Sequence, residues 1–282
     1  MGLTDMDFRL LQRNFSLRRL LSPLDYKRFI HLIAAWSMSK TLRITKAPEF
    51  RFRPEPAIYV DGVLLDYEPA CAGGVLNMDA DGPWEPEETH LIVESLKDGG
   101  VFYDIGANIG WHSINVALKT PAKVVCFEPQ PQRLRKNLVL NHADCMVIEV
   151  ALGSYNGAAR MTAGYNAQNF ITDTGDLKVP IRTLDSLVSE HHLPPPTFMK
   201  LDVEGFEHEV LHGARGTLVE YRPSLLCEMT NLSDRYDAVA NNILSFLSEL
   251  GYTLSRSYVL SHGRLGSNSL FTVPTRTNAV AR

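Results

Sequence analysis

Lys200-Leu201-Asp202-Val203-Glu204-Gly205-Phe206-Glu207 gathers one lysine and three acids where an apolar run gives way to a glycine-interrupted turn. Side chains alternate along a strand, so Lys200 and Asp202 point to one side, and Glu204 and Glu207, three apart, share the face of the helix that follows. A rim of this kind can align an acceptor and take its proton; Asp202, Glu204, His208 and Glu228 are the candidates. The plainer reading is that Glu204 and Glu207 complement a helix dipole while Lys200 pairs with Asp202.

A second chemical stretch, Val101–Gly110 (V-F-Y-D-I-G-A-N-I-G), reads as a buried strand running into a glycine turn and a helix that begins near Asn108. Gly106 and Gly110 bracket the turn, where a glycine can take positive φ and let a ligand approach the backbone, and the helix start offers N–H groups. Asp104 puts a negative charge where a ligand amine or hydroxyl would sit. The dinucleotide fingerprint is not met, because Asn108 occupies the place of its middle glycine and an acid inside the turn repels a pyrophosphate. A ligand with a ribose, an amine and a positive centre but no phosphate fits better, and S-adenosylmethionine is the common one. Glu128, ending the apolar run Val124–Phe127, is the expected acceptor for ribose hydroxyls. Pro129 follows it, and Ala151, after a third apolar run, stands where an adenine could lie.

The elements that position these residues follow from periodicity. Trp84–Thr89 opens a helix through Leu96, with proline and acids in its first turn; it brings Trp84 or Glu85 within reach of the ligand, or serves only as helix-start chemistry. Helices are expected over 132–142, 183–190, 205–218 and 238–250, and strands over 101–105, 124–127, 145–150, 197–202, 224–228, 252–256 and 269–273. Residues 154–182 read as a hairpin or loop excursion beside the site. Strands alternating with helices and ending in two strands close in sequence imply a mostly parallel sheet with one antiparallel member.

Ahead of this domain, residues 1–46 read as two amphipathic helices, with Phe8, Leu11, Phe15, Leu20 and Leu21 at helical spacing between arginines. Their apolar face suits packing on the main domain or on a second copy; the oligomeric state is left open, with these helices the obvious contact surface for a homodimer. A basic face toward anionic lipid or an acidic partner is the alternative. Residues 47–83 are proline-rich with short strand-like runs hinged at Asp61-Gly62. The division is a cap over 1–83 and a catalytic domain over 84–282.

Composition excludes several classes. The 282 residues are 45% hydrophobic and 21% charged with net charge -4, which shows neither disorder nor the basicity of a nucleic-acid binder. Cys71, Cys126, Cys145 and Cys227 are scattered as in a reduced, cytosolic protein, not in a disulfide or zinc pattern. No secretory signal is visible, and the run Phe29–Trp36 is too short to span a bilayer. His208-Glu209-Val210-Leu211-His212 matches the zinc motif H-E-x-x-H, but it lacks a clear third ligand and its helix is already required as a strand connection. A divalent cation is left open, with Asp202, Glu228 and Asn231 as an oxygen-rich candidate set or merely a hydrogen-bonded rim.

Taken together, W-E-P-E-E-T at Trp84–Thr89, D-I-G-A-N-I-G at Asp104–Gly110, F-E-P at Phe127–Pro129 and K-L-D-V-E-G-F-E at Lys200–Glu207 resemble the FkbM family of S-adenosylmethionine-dependent methyltransferases. The resemblance extends over about residues 84–273 and is carried further by Thr183–Leu187 and Glu228. It implies an α/β class I methyltransferase fold, Rossmann-like, with a seven-stranded, mostly parallel, doubly wound sheet. It implies cofactor binding by Asp104, Gly106, Ala107, Asn108, Gly110, Glu128, Pro129 and Ala151, and chemistry from among Lys200, Asp202, Glu204 and Glu228. The expected acceptor is a hydroxyl of a sugar, polyketide or other small metabolite. A DNA base is disfavoured, because no Asp-Pro-Pro-Tyr type motif follows the fourth strand. The competing reading is a non-catalytic scaffold that binds the cofactor and acts through its N-terminal helices.

Overall fold

The computed structural model describes residues 57–66, 83–163, 169–230, 240–259 and 266–274. The chain divides into two compact units, Met1–Pro83 and Trp84–Arg282. In the first, β1 (Ala57–Val60) and β2 (Val63–Asp66) form an antiparallel hairpin. Its turn is Asp61-Gly62, both at positive φ as a two-residue connection requires. The helices expected over 1–46 lie outside the described residues.

The second unit is built on a seven-stranded sheet. Its strands are β3 (Val101–Ile105), β4 (Lys123–Phe127), β5 (Met146–Ile148), β9 (Phe198–Leu201), β10 (Ser224–Thr230), β11 (Thr253–Val259) and β12 (Gly266–Thr272). Their order is β11-β12-β10-β9-β3-β4-β5. β12 runs antiparallel to both neighbours, and β5, β4, β3, β9 and β10 are parallel. Starting from β3 the chain builds outward through β4 and β5, then returns to the other side of β3 with β9. That reversal leaves a crevice beyond the carboxyl ends of β3 and β9, where ligands of open α/β sheets bind.

Period-2 alternation sorts the strand residues between two layers. Tyr103, Ile105, Val125, Phe127, Met199, Leu201, Leu225 and Cys227 face one continuous core with helices α4 (Leu184–His191), α5 (Glu207–Gly213), α6 (Arg215–Tyr221) and α7 (Ala240–Glu249). The same core takes in a small second sheet of β6 (Ala151–Leu152), β8 (Leu177–Arg182) and β7 (Gly157–Met161), in that order. The alternate strand residues, Phe102, Val124, Cys126 and Phe198 among them, are buried on the other face. There α1 (Pro86–Ser95), α2 (Trp111–Lys119) and α3 (Gln132–Asn141) pack in succession, with α2 against β3 and β4. No helix among the described residues is long and apolar enough to cross a membrane.

Three details depart from the periodicity reading. The helix after β3 starts at Trp111, not near Asn108, because Asn108 and Gly110 are both left-handed (φ 50 and 88). The third strand stops at Ile148, since Ala151 leaves the main sheet to pair with Ile181. The 205–218 helix is two helices, broken at Ala214 (φ -111, ψ 5). The hairpin alternative expected within 154–182 is met, because β7 and β8 pair antiparallel and complete the second sheet.

Gly106 is one of the two tightest glycines among the described residues, with Gly213. A Cβ there would lie 1.9 Å from the carbonyl oxygen of Asp202, at a φ of 81 that side chains rarely adopt. The Asp202 N–H in turn donates to the Ile105 carbonyl at 3.1 Å, so the ends of β3 and β9 are stitched across this glycine. Gly106→Ala is expected to destabilise the protein by more than about 3 kcal/mol through combined overlap and backbone strain, read by thermal denaturation.

Candidate active site

Asp104, the penultimate residue of β3, faces away from the large core, 2% exposed, and accepts a hydrogen bond from Ser113 Oγ of α2 at 2.5 Å. Its register partner on the neighbouring strand β9 is Lys200, 3% exposed, so an acid and a cation lie side by side near the carboxyl ends of the two strands. Glu128 follows β4 directly. Its Oε2 accepts the Asn108 N–H at 2.8 Å and its Oε1 the Gln130 N–H at 2.9 Å. Burial pushes the Glu128 carboxyl above the usual range, opposed by those two bonds. Each oxygen keeps a second lone pair for a hydroxyl donor.

The turn itself works differently from a simple cradle. The Asn108 N–H is engaged by Glu128, and the Gly106 and Ala107 N–H groups donate to the Phe127 carbonyl at 3.0 and 3.3 Å. Gly106 admits the Asp202 backbone rather than a ligand, and a Cβ on Gly110 would meet Leu134 at 2.6 Å. The glycines therefore fix where Asp104 and Glu128 stand. Pro129 is half-buried beside Glu128, and Ala151 is buried in β6 within the large core.

The Lys200 rim assembles more groups than its own segment supplies. Lys200 Nζ donates to Asp202 Oδ2 at 2.7 Å and lies 3.8 Å from Glu85 Oε2. Burial disfavours its charge, yet the Asp202, Glu85 and Asp104 carboxylates together hold its pKa above the ordinary lysine value. Glu85 precedes α1 in a left-handed conformation (φ 42, ψ 60), which costs a residue with a Cβ about 1–3 kcal/mol. Its Oε2 is 2.9 Å from His112 Nε2, and its Oε1 accepts from Asn268 Nδ2 at 3.0 Å. Burial works against the Glu85 charge, but Lys200 and the hydrogen-bonded, charge-favouring contacts of His112 and Asn268 prevail and lower its pKa to about 2. Thr89 Oγ1 accepts from Trp111 Nε1 at 3.0 Å and meets His112 Nδ1 at 3.2 Å, which holds the ring in place.

The remaining acids have the opposite character. Glu228 is buried at the rim end of β10, where burial first and then the charges of Asp202, Glu207 and Glu204 push its pKa up to about 10. Burial pushes Glu207 up to about 7 even though its Oε1 accepts from the Val203 and Gly205 N–H groups. Glu204, left-handed at φ 57, sits in the turn between β9 and α5. His112 and Asn268 carry no signal in the sequence; only the packing of α2 and β12 brings them here. The H-E-x-x-H histidines sit elsewhere, on α5 with Nε2 atoms 3.2 Å apart, and no group of three or more metal-ligating side chains occurs among the described residues. Asn231 lies outside them.

Glu85, Asp104 and Asp202 surround one ammonium, leaving negative charge in excess, and Glu128 retains acceptor capacity at the neighbouring strand end. Of these groups, Asp104 and Glu128, at adjoining strand ends, fit a ligand with a ribose and an amine, the requirement of S-adenosylmethionine. The strand order, its single antiparallel member and acids at the ends of β3 and β4 define a class I, Rossmann-like methyltransferase fold. Residues 104–254 match the model of the methyltransferase FkbM domain, and the chain belongs to that family.

Two curated relatives are similar over part of their length. The hexuronic acid methyltransferase AglP of Haloferax volcanii is 29% identical over 140 residues, 48% of this chain and 58% of that protein. The 31-O-demethyl-FK506 methyltransferase FkbM of Streptomyces tacrolimicus is 27% identical over 157 residues, 42% of this chain and 60% of that protein. The chain thus spans about three fifths of the length of these relatives. Among solved structures, a methyltransferase FkbM from Methylobacillus flagellatus matches with a TM-score of 0.44 and 19% identity, over 67% of this chain and 50% of that one.

The raised Glu228 pKa carries a sign for stability. The folded protein keeps a proton that the unfolded chain releases above pH 4.5, so stability falls as pH rises from there toward about 10. Glu228→Gln is expected to leave the melting temperature at pH 5 nearly unchanged and to raise it by about 3 °C or more at pH 9. Differential scanning calorimetry across that range reads the difference.

Proposed function

We propose that this protein is an S-adenosylmethionine-dependent O-methyltransferase acting on a hydroxyl of a sugar, polyketide or other small metabolite. The observation that carries this reading is the pairing of Asp104 with Lys200 at the chain reversal of the sheet, with Glu128 at the adjoining strand end. Family membership and the two curated relatives, one a hexuronic acid methyltransferase and one a 31-O-demethyl-FK506 methyltransferase, support the substrate class. The free thiols of Cys126, Cys145 and Cys227 support a cytoplasmic setting.

Glu128 and the remaining oxygen of Asp104 would hold the ribose hydroxyls and the amine of S-adenosylmethionine. When bound, that group supplies a methyl on a sulfonium, which is transferred by direct displacement. The chain's own task is to orient the acceptor and remove its proton. Asp202 is the carboxylate placed for this, since its side chain is 25% exposed at the rim while Lys200, Glu85 and Asp104 are buried. Lys200 cannot act as a base because its proton is held by three carboxylates; it is a fixed cation beside the developing alkoxide. Glu228, protonated at neutral pH, is a hydrogen-bond donor rather than a base. Glu204 stands at the turn as a further acid beside the acceptor.

Calorimetric titration with S-adenosylhomocysteine separates these roles. The wild-type protein is expected to bind, Asp104→Ala to lose at least about tenfold in affinity, equivalent to about 1.4 kcal/mol, and Asp202→Asn to stay within about threefold. Absence of binding by folded wild-type protein would defeat the reading. Equal losses in both variants would move Asp202 into the cofactor site.

A further inference from the structure

Glu85 occupies the position from which a side chain ordinarily caps a helix, yet it makes no side-chain cap bond to α1. Its carboxylate turns inward instead, 6% exposed, in a backbone conformation that favours glycine. Three separate elements converge on it: His112 from α2 at 2.9 Å, Asn268 from β12 at 3.0 Å and Lys200 from β9 at 3.8 Å. Asn268 Nδ2 also reaches Glu88 at 3.2 Å, so the first turn of α1 is tied to β12 through the same amide. The helix start has given up a cap in order to place an anion against the sheet. The groups facing Lys200 are Asp202 on its own segment, Asp104 on β3 and Glu85; His112 and Glu88 stand one contact further away.

We propose that Glu85 is a positioning residue: its buried carboxylate is the second anchor of the Lys200 ammonium, and through Lys200 it fixes the orientation in which Asp202 is presented at the rim. The proposal rests on the methyltransferase reading for the purpose of that presentation. A lysine side chain has four rotatable bonds, and one carboxylate at 2.7 Å leaves its terminal group free to pivot. A second anion from a different element removes that freedom. Among the members of this network, Asp202 is the one whose side chain is substantially open to solvent, so any loosening of Lys200 is felt where an acceptor would dock.

The test reads the ammonium directly. In protein labelled at lysine 15Nζ, Lys200, assigned by Lys200→Arg, is expected to give an ammonium resonance shielded from solvent exchange. Glu85→Gln, which keeps the shape and removes the charge, is expected to speed that exchange at least tenfold while S-adenosylhomocysteine affinity stays within threefold. Glu85→Asp is expected to recover part of the protection. Should Glu85→Gln fail to fold, His112→Gln, which removes the ring holding the carboxylate, must loosen the same signal. Unchanged exchange in the folded variants would overturn the proposal. A tenfold loss of S-adenosylhomocysteine affinity in Glu85→Gln would overturn it too, by making Glu85 part of the cofactor site. If wild-type protein binds no S-adenosylhomocysteine, the methyltransferase reading fails by itself, and the exchange rates still decide whether Glu85 anchors Lys200.

Discussion

A lysine ammonium withdrawn from water has to be met by anions, and much of this protein's architecture follows from that one requirement. Removing an ammonium from solvent costs several kcal/mol even after relaxation, and only close, well-oriented carboxylates offset it. Lys200 is 3% exposed, and its partners come from three places: Asp202 two residues on, Asp104 across the register of β3, and Glu85 from the start of α1. Burying the lysine therefore ties the order of the sheet and the seat of a helix to the same point. The negative charge left over faces the crevice where the sheet order reverses.

The carboxylates around this point are driven to different protonation states by their neighbours. Glu85 is lowered to about 2 because cationic and hydrogen-bonded partners outweigh its burial. Glu207 rises to about 7 and Glu228 to about 10, since burial is reinforced there by other acids. Side chains of identical chemistry thus become a fixed anion, a group that titrates near neutrality and a neutral donor. Divergence of this kind is characteristic of functional sites, where acid and base roles are separated by environment.

Three of the seven non-glycine residues at positive φ among the described residues lie in the same region. Glu85, Asn108 and Glu204 are non-glycine residues held at positive φ, and Gly106 and Gly205 are left-handed beside them. At Gly106 the reason is contact, because the Asp202 carbonyl occupies the space of a side chain. At Asn108 it is a hydrogen bond, because the turn must present its N–H to Glu128. The surrounding sheet and helices hold these conformations in place, so the positions of Asp104, Glu128 and Asp202 are set by backbone rather than by flexible side chains.

By itself the sequence determined the alternation of strands and helices, the single antiparallel strand, and the local clusters Asp104–Gly110, Phe127–Pro129 and Lys200–Glu207. Those features rest on short-range regularities: side-chain period, turn chemistry and spacing within one segment. It also marked Trp84–Thr89 as a helix start near the site, without distinguishing a cap from a buried anion at Glu85. Only the tertiary structure decided that Glu85 turns inward, that His112 and Asn268 meet it from α2 and β12, and that Gly106 makes room for the Asp202 backbone instead of a ligand. It also decided that the strand after Cys145 is short, because Ala151 is claimed by Ile181 of the second sheet. The physical reason is common to all of these: a buried charge or a close backbone approach is satisfied by partners far away in sequence. No periodicity within a segment records which distant residue will be opposite.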